Sequence, residues 1–190
     1  MTVPTSVSLL DRLKHSPPDS ADWQQLHALY APLIRHWLGK DPILRDEADD
    51  LSQDVMLAVV RQLPRFDRRR DGSFRTWLRV TVNRLRAHWR TRQHRVHPDT
   101  DGFLEQLADP VSALSRQWDE EHDRHVFQKL FDFLEAEFSA ETLLAFRKFF
   151  LDDRPAEEVA AELGISVNVV YLAKSRVLKR LREEAHGLLD

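Results

Sequence analysis

The chain has 190 residues, no cysteine, 42% hydrophobic and 31% charged residues, and a net charge of −3. That composition describes a globular chain, not a disordered one, and leaves no disulfide or thiolate metal site. No apolar run reaches the roughly 18 residues of a membrane span, Met1 to Ser8 lacks a signal-peptide pattern, and the nine histidines are scattered singly. A cytoplasmic protein without membrane insertion, cofactor or metal is the expectation. Few glycines and no alternating Val/Ile runs predict an all-α fold.

In chain order, Ser8 to Lys14 predicts a short helix closed by Ser16-Pro17-Pro18-Asp19. Ser20 then caps a helix through Trp23, Leu26, Leu33 and Leu38 to Gly39, which Pro32 is expected to kink or divide. Asp41-Pro42 makes a turn. Arg45 or Asp46 opens a helix whose apolar positions Ala48, Leu51, Val55, Val59 and Leu63 face a core, and Pro64 stops it. Six acids against one base fill Asp41 to Asp54. Asp46 and Glu47 suit a helix N-terminus, but Asp54 lies two turns further in. A polar docking face for a partner protein accounts for it better than a DDxxD-type metal site.

Arg65-Phe66-Asp67-Arg68-Arg69-Arg70-Asp71 reads as a basic loop with one exposed aromatic, of a make that suits single-stranded nucleic acid. Ser73 after Gly72 caps one long helix to Arg92. Phe74, Trp77, Leu78, Thr81, Leu85 and Trp89 form its apolar face. Stepping about 100° per residue from Thr81 puts Arg75, Arg79, Asn83, Arg86 and Arg90 on the far side. Between Arg61 and Arg95 twelve arginines meet only Asp67 and Asp71, a charge near +10. A polyanion is the usual partner of such a segment, arginine suits phosphates and base edges, and asparagine can pair with adenine or an unstacked base.

The charge then inverts. Val96 to His125 holds eight acids and two bases, and Pro98, Gly102 and Pro110 mark residues 98–122 as an acidic linker with at most a short helix. It separates a domain of residues 1–97 from one of 123–190, and its charge predicts that it shields the basic helix. The second domain opens with a helix from about Asp123. Ser139 caps another to Leu151, whose Leu143, Leu144, Phe146, Phe149 and Phe150 are expected in the core. Pro155 to Tyr171 is a helix-turn-helix pattern: Ala160 permits close approach, Gly164 makes the turn, and Ser166 caps the second helix. Val170, Ala173, Val177 and Leu181 should face inward. Asn168, Tyr171, Leu172, Ser175 and Lys179 should face outward, flanked by Lys174 and Arg176, a basic surface suited to DNA.

Three strings in this order resemble the extracytoplasmic-function (ECF) sigma factors of the sigma-70 family. Asp50-Leu51-Ser52-Gln53-Asp54-Val55 is similar to the family's polymerase-binding motif. Gly72 to Arg84 resembles its promoter-melting and minus-ten helix, and the pattern through Lys174-Ser175-Arg176 its minus-thirty-five reader. The resemblance implies a region 2-like helical bundle and a region 4-like helix-turn-helix domain. Its partners would be core RNA polymerase and promoter DNA, as duplex and as melted non-template strand, with an anti-sigma factor or regulatory kinase as a further partner. It implies that Asp50, Gln53 and Asp54 dock on the polymerase. Phe66 to Gly72, with Arg68 and Arg69, would hold an extruded base, while Asn83 with Arg75, Arg79, Arg86 and Arg90 grips the minus-ten element. Asn168, Tyr171, Lys174, Ser175, Arg176 and Lys179 would read the minus-thirty-five element. Where the family often has Thr-Val-Lys-Ser-Arg, this chain has Val169-Val170-Tyr171-Leu172-Ala173. The protein would be no enzyme. The competing reading is a stand-alone helix-turn-helix regulator, which binds duplex DNA without polymerase.

Overall fold

The computed structural model describes residues 8–71, 73–92, 106–107, 109 and 111–189; the side chains of residues 70 and 71 are not described. Gly72, Arg95 and most of the expected linker before residue 111 lie outside the described residues, among which there is no strand. Two compact units emerge. One is built from the described residues up to Val126 and the last few residues, the other from Phe127–Ala185.

In the first unit α1 (Leu9–Leu13) starts at Ser8, whose hydroxyl accepts the Asp11 N–H at 3.4 Å. α2 (Ala21–Gly39) buries Trp23, Leu26, Leu29, Tyr30, Leu33, Ile34, Trp37 and Leu38. It runs through Pro32 without the expected division. Pro32 and the residue one turn before it, Ala28, are both exposed, so water can serve the carbonyl that lost its donor, and the buried residues on either side hold the helix together. α3 (Ala48–Gln62) begins two or three residues later than expected and presents Ala48, Leu51, Val55, Met56 and Val59 to the core. A 3₁₀ turn, Leu63–Arg65, follows. Then come the short α4 (Arg68–Asp71) and the long α5 (Phe74–Arg92). Ser73 caps α5 by accepting the Thr76 N–H at 3.2 Å.

The largest departure from expectation is α6 (Ala113–Leu134), helical from Ala113 to the end of the stretch read as linker. Ser115, Trp118, His122 and Val126 recur three and four residues apart and are each 0% exposed. Trp118 packs on Trp37 with ring centroids 4.8 Å apart. Burial of that stripe stabilises the helix despite its acids.

In the second unit α6 supplies Leu130, Phe131 and Leu134 to the core. Ser139 caps α7 (Ala140–Phe146), accepting the Thr142 N–H at 3.2 Å. The chain then widens into a π-helical turn, Arg147–Leu151. α8 (Ala156–Leu163) and α9 (Val167–Ala185) complete it. Of the apolar residues expected in the core here, Phe146 is fully buried, but Leu144 and Phe150 are 43% and 37% exposed. Leu144 sits about 100° round the helix from Leu143, off the buried side, and Phe150 falls within the π turn, where the α period is broken.

Candidate nucleic-acid interface

The acidic shelf sits on α3. With one stripe of that helix committed to the core, Asp50, Gln53 and Asp54 fall on the opposite side and are exposed. The Asp49 carboxylate makes an exposed pair with Arg35 at 3.3 Å, a contact worth little in water. Beside the shelf a groove between α2 and α3 is lined by Trp23, His27, Gln53, Met56 and Leu57. Among the described residues no three acids or histidines converge to hold a metal ion.

The arginine helix is less simple than its sequence. One face of α5, with Phe74, Leu78, Thr81 and Val82, is core. The opposite face, expected to be open, is largely covered as well. Arg79 and Arg86 are each 3% exposed. Arg86 donates to the Asp41 carboxylate from Nε at 2.9 Å and from a terminal nitrogen at 2.6 Å, with Arg90 at 4.0 Å from the same oxygen. The other Asp41 oxygen accepts the Ile43 N–H at 3.0 Å. Thus one carboxylate both shapes the α2–α3 turn and anchors α5. Arg79 reaches Asp119 at 3.2 Å, and Arg75 reaches Asp119 at 3.3 Å and Asp123 at 2.7 Å. Asn83 is half-buried. Sequence reasoning missed Asp41 as a partner, because it lies 45 residues away from Arg86. The charge inversion after Val96 did signal that acids of that stretch meet the basic helix, and Asp119 and Asp123 do so. A buried guanidinium needs such a partner, since an unpaired charge removed from water is costly.

The exposed cations lie elsewhere. Arg84, His88 and Arg92 recur every four residues on a third face of α5 that also carries Val80, and Arg61, Arg65, Arg68 and Arg69 are exposed near its start. Phe66 is not the exposed ring the sequence suggested. It is 8% exposed, edge-on to Phe74 at 5.8 Å and against Trp77 at 5.4 Å. Burying a phenyl ring among other rings is favoured over leaving it in water. Asp67 caps α4 by accepting the Arg69 N–H at 2.9 Å, so part of the expected loop is a helical turn.

Behind Arg75 lies a buried polar chain. His122 Nδ1–H donates to Asp123 at 3.0 Å, and its Nε2 accepts from the Tyr30 hydroxyl at 3.2 Å. Burial lowers the His122 pKa below its ordinary value despite Asp123 and Asp119 nearby, so the ring stays neutral. Burial likewise raises Tyr30 well above its usual range. Burial also pushes the Asp123 carboxyl up, but hydrogen bonds from His122 and Arg75 outweigh it and hold the pKa low.

In the second unit, Gly164 ends α8 with φ at 68°, a left-handed conformation that suits glycine. The Ile165 N–H then closes back on the Ala160 carbonyl at 3.0 Å. Ala156, Val159, Ala160 and Val170 form the core between the two helices, with Phe149 and Ile165 against it. Ser166 caps α9 by accepting the Val169 N–H at 3.3 Å. Val170, Ala173, Val177 and Leu181 are buried, while Asn168, Tyr171, Leu172, Ser175, Arg176 and Lys179 are exposed. Lys174 is half-buried, its ammonium over Phe149 at 5.0 Å and Phe150 at 5.2 Å.

A helical unit with an exposed acidic shelf and an arginine helix, followed by a helix-turn-helix, is a specific combination. Residues 26–95, from within α2 to just past α5, match the family model for sigma-70 region 2. By that match the chain resembles the sigma-70 family. The chain is also similar beyond that region to a curated relative. It is 29% identical over 167 residues to the ECF RNA polymerase sigma factor RpoE of Cereibacter sphaeroides, covering 87% of each chain. No helix among the described residues is long and apolar enough to cross a membrane.

Proposed function

We propose that this chain is a sigma factor that binds core RNA polymerase and directs it to promoters, melting the minus-ten element with its first unit and reading the minus-thirty-five element with α9. It supplies no bond chemistry of its own; the polymerase does that. The observation that carries the reading is the region 2 match on a unit whose Asp50, Gln53 and Asp54 stand exposed together on α3. Those three are the proposed polymerase contact. Residues 1–97 and 123–190 are the proposed promoter-binding domains.

The minus-ten contacts divide by geometry. Arg68, Arg69 and the stripe through Arg84 and Arg92 are exposed to meet phosphate. Asn83 stands beside them as the base-reading candidate. Arg75 and Arg79 can join only by exchanging Asp119 and Asp123 for phosphates, and Arg86 is retained by Asp41. An anti-sigma factor would be the regulator of such a chain.

The test is reconstitution. The purified chain is mixed with core polymerase, resolved by gel filtration, and assayed for transcription from genomic fragments. Co-elution and specific start sites are expected, and Asp54→Arg, on an exposed position, should lose co-elution while keeping its helical signal. Duplex binding without any polymerase complex would establish the stand-alone regulator instead.

A further inference from the structure

We infer that Tyr171 and Leu172 make α9 a reader of thymine methyl groups, with Asn168 one turn earlier taking a neighbouring adenine. This rests on the proposed entry of α9 into the major groove and adds which base edges it prefers. Val169, Tyr171 and Leu172 are 41%, 50% and 42% exposed, all within the first six residues of the helix. Further along, the exposed positions Ser175, Arg176 and Lys179 are polar or cationic. These apolar side chains are not core: the buried stripe of the helix is Val170, Ala173, Val177 and Leu181.

The division along the helix matches what a groove-bound helix needs. Its N-terminal residues reach base edges and later ones lie near phosphates. Among base edges in the major groove the thymine 5-methyl is the apolar feature, and the two-pronged partner of asparagine is adenine. Tyr171 is fixed in place, edge-on to Phe149 at 5.3 Å and 84°, while Phe149 itself packs on the core between α8 and α9. Leu172 stands beside it on the outer face. A rigid ring and a branched aliphatic chain side by side suit two adjacent methyl groups.

The experiment uses the complex of the full chain with core polymerase. Upstream elements are selected from a randomised duplex library, and the thymines of the selected element are replaced by uracil, which lacks only the methyl. Affinity should fall about fourfold per methyl contacted, the usual value for burying one such group. Leu172→Ser should bind the uracil duplex as wild type does and lose one methyl's share, about fourfold, of the difference between the two duplexes. Selection of elements without thymine, or equal affinity for both duplexes, overturns the inference while leaving the polymerase reading intact. If Leu172→Ser instead weakens polymerase binding with no change on DNA, the apolar patch is a protein contact and the inference fails. If the complex forms but substitutions at Arg176 and Lys179 have no effect on upstream binding, the reading of α9 as a DNA helix fails with it.

Discussion

Replacing Asp41 by alanine should be the most damaging single change in the first unit that leaves its apolar core untouched. Asp41 and Arg86 side chains are 3% and 4% exposed, and the closer contact is 2.6 Å. Removing one partner of a buried pair leaves the other charged and dry, at a cost of about 3–5 kcal/mol. The same carboxylate also fixes the Ile43 N–H, so the turn loosens too. For a chain of this size about 1 kcal/mol shifts Tm by roughly 2–4 °C, which predicts a fall of about 6–20 °C. Tryptophan fluorescence isolates the effect, because Trp23, Trp37, Trp77, Trp89 and Trp118 all precede Val126 and none lies in Phe127–Ala185. Asp41→Ala combined with Arg86→Met should recover part of the loss, since an apolar chain no longer needs a counter-ion. A single variant melting within about 2 °C of wild type, against the same scale, would refute the anchoring role.

Acid should loosen the first unit in two separate windows. The folded pKa of His122 lies below its unfolded value, so its contribution is full above the unfolded pKa, about 6.5, and declines as pH drops below it. Asp22, Glu121 and Asp123 have lowered folded values, so theirs persists until pH falls into and below the ordinary carboxylate range. Urea titrations should show the first decline in wild type and not in His122→Gln; an identical decline in both would contradict the assignment. Gly164→Ala meets open space but keeps φ at 68°, so it should cost about 1 kcal/mol. Circular dichroism should detect that loss while the tryptophan transition stays unchanged. Asparagine at both Asp119 and Asp123 should raise affinity of the free chain for single-stranded DNA and steepen its salt dependence; unaltered binding would place Arg75 and Arg79 outside the interface. Asn83→Ala should weaken promoter opening, read by permanganate footprinting, and leave polymerase binding as it was.

Local signals carried most of the fold. The apolar stripes of α2, α3, α5 and α9 are visible at helical spacing, and Ser73, Ser139 and Ser166 cap helices as expected, whereas Ser20 precedes α2 without a side-chain cap bond. What failed was non-local. The acids of residues 98–122 drew attention away from Ser115, Trp118 and His122, two of them polar, whose regular spacing forms the buried stripe of α6. The outer face of α5 looked solvent-bound because its counter-ions stand 40 to 48 residues away. A helix wheel shows which residues share a face, but not whether a second layer covers it. The exposure of the shelf on α3 and of the outer face of α9 was legible because each opposes a strongly apolar stripe.

The separation of Arg75 and Arg79 from their carboxylates sets an order of events on the ribosome. Arg86 finds Asp41 already synthesised, whereas Asp119 and Asp123 follow their arginines by 40 and 48 residues. At about 5–20 residues per second those two guanidinium groups spend some seconds uncovered beside ribosomal RNA. A fragment ending near residue 100 would never acquire the cover, and it should purify with nucleic acid that the whole chain leaves behind.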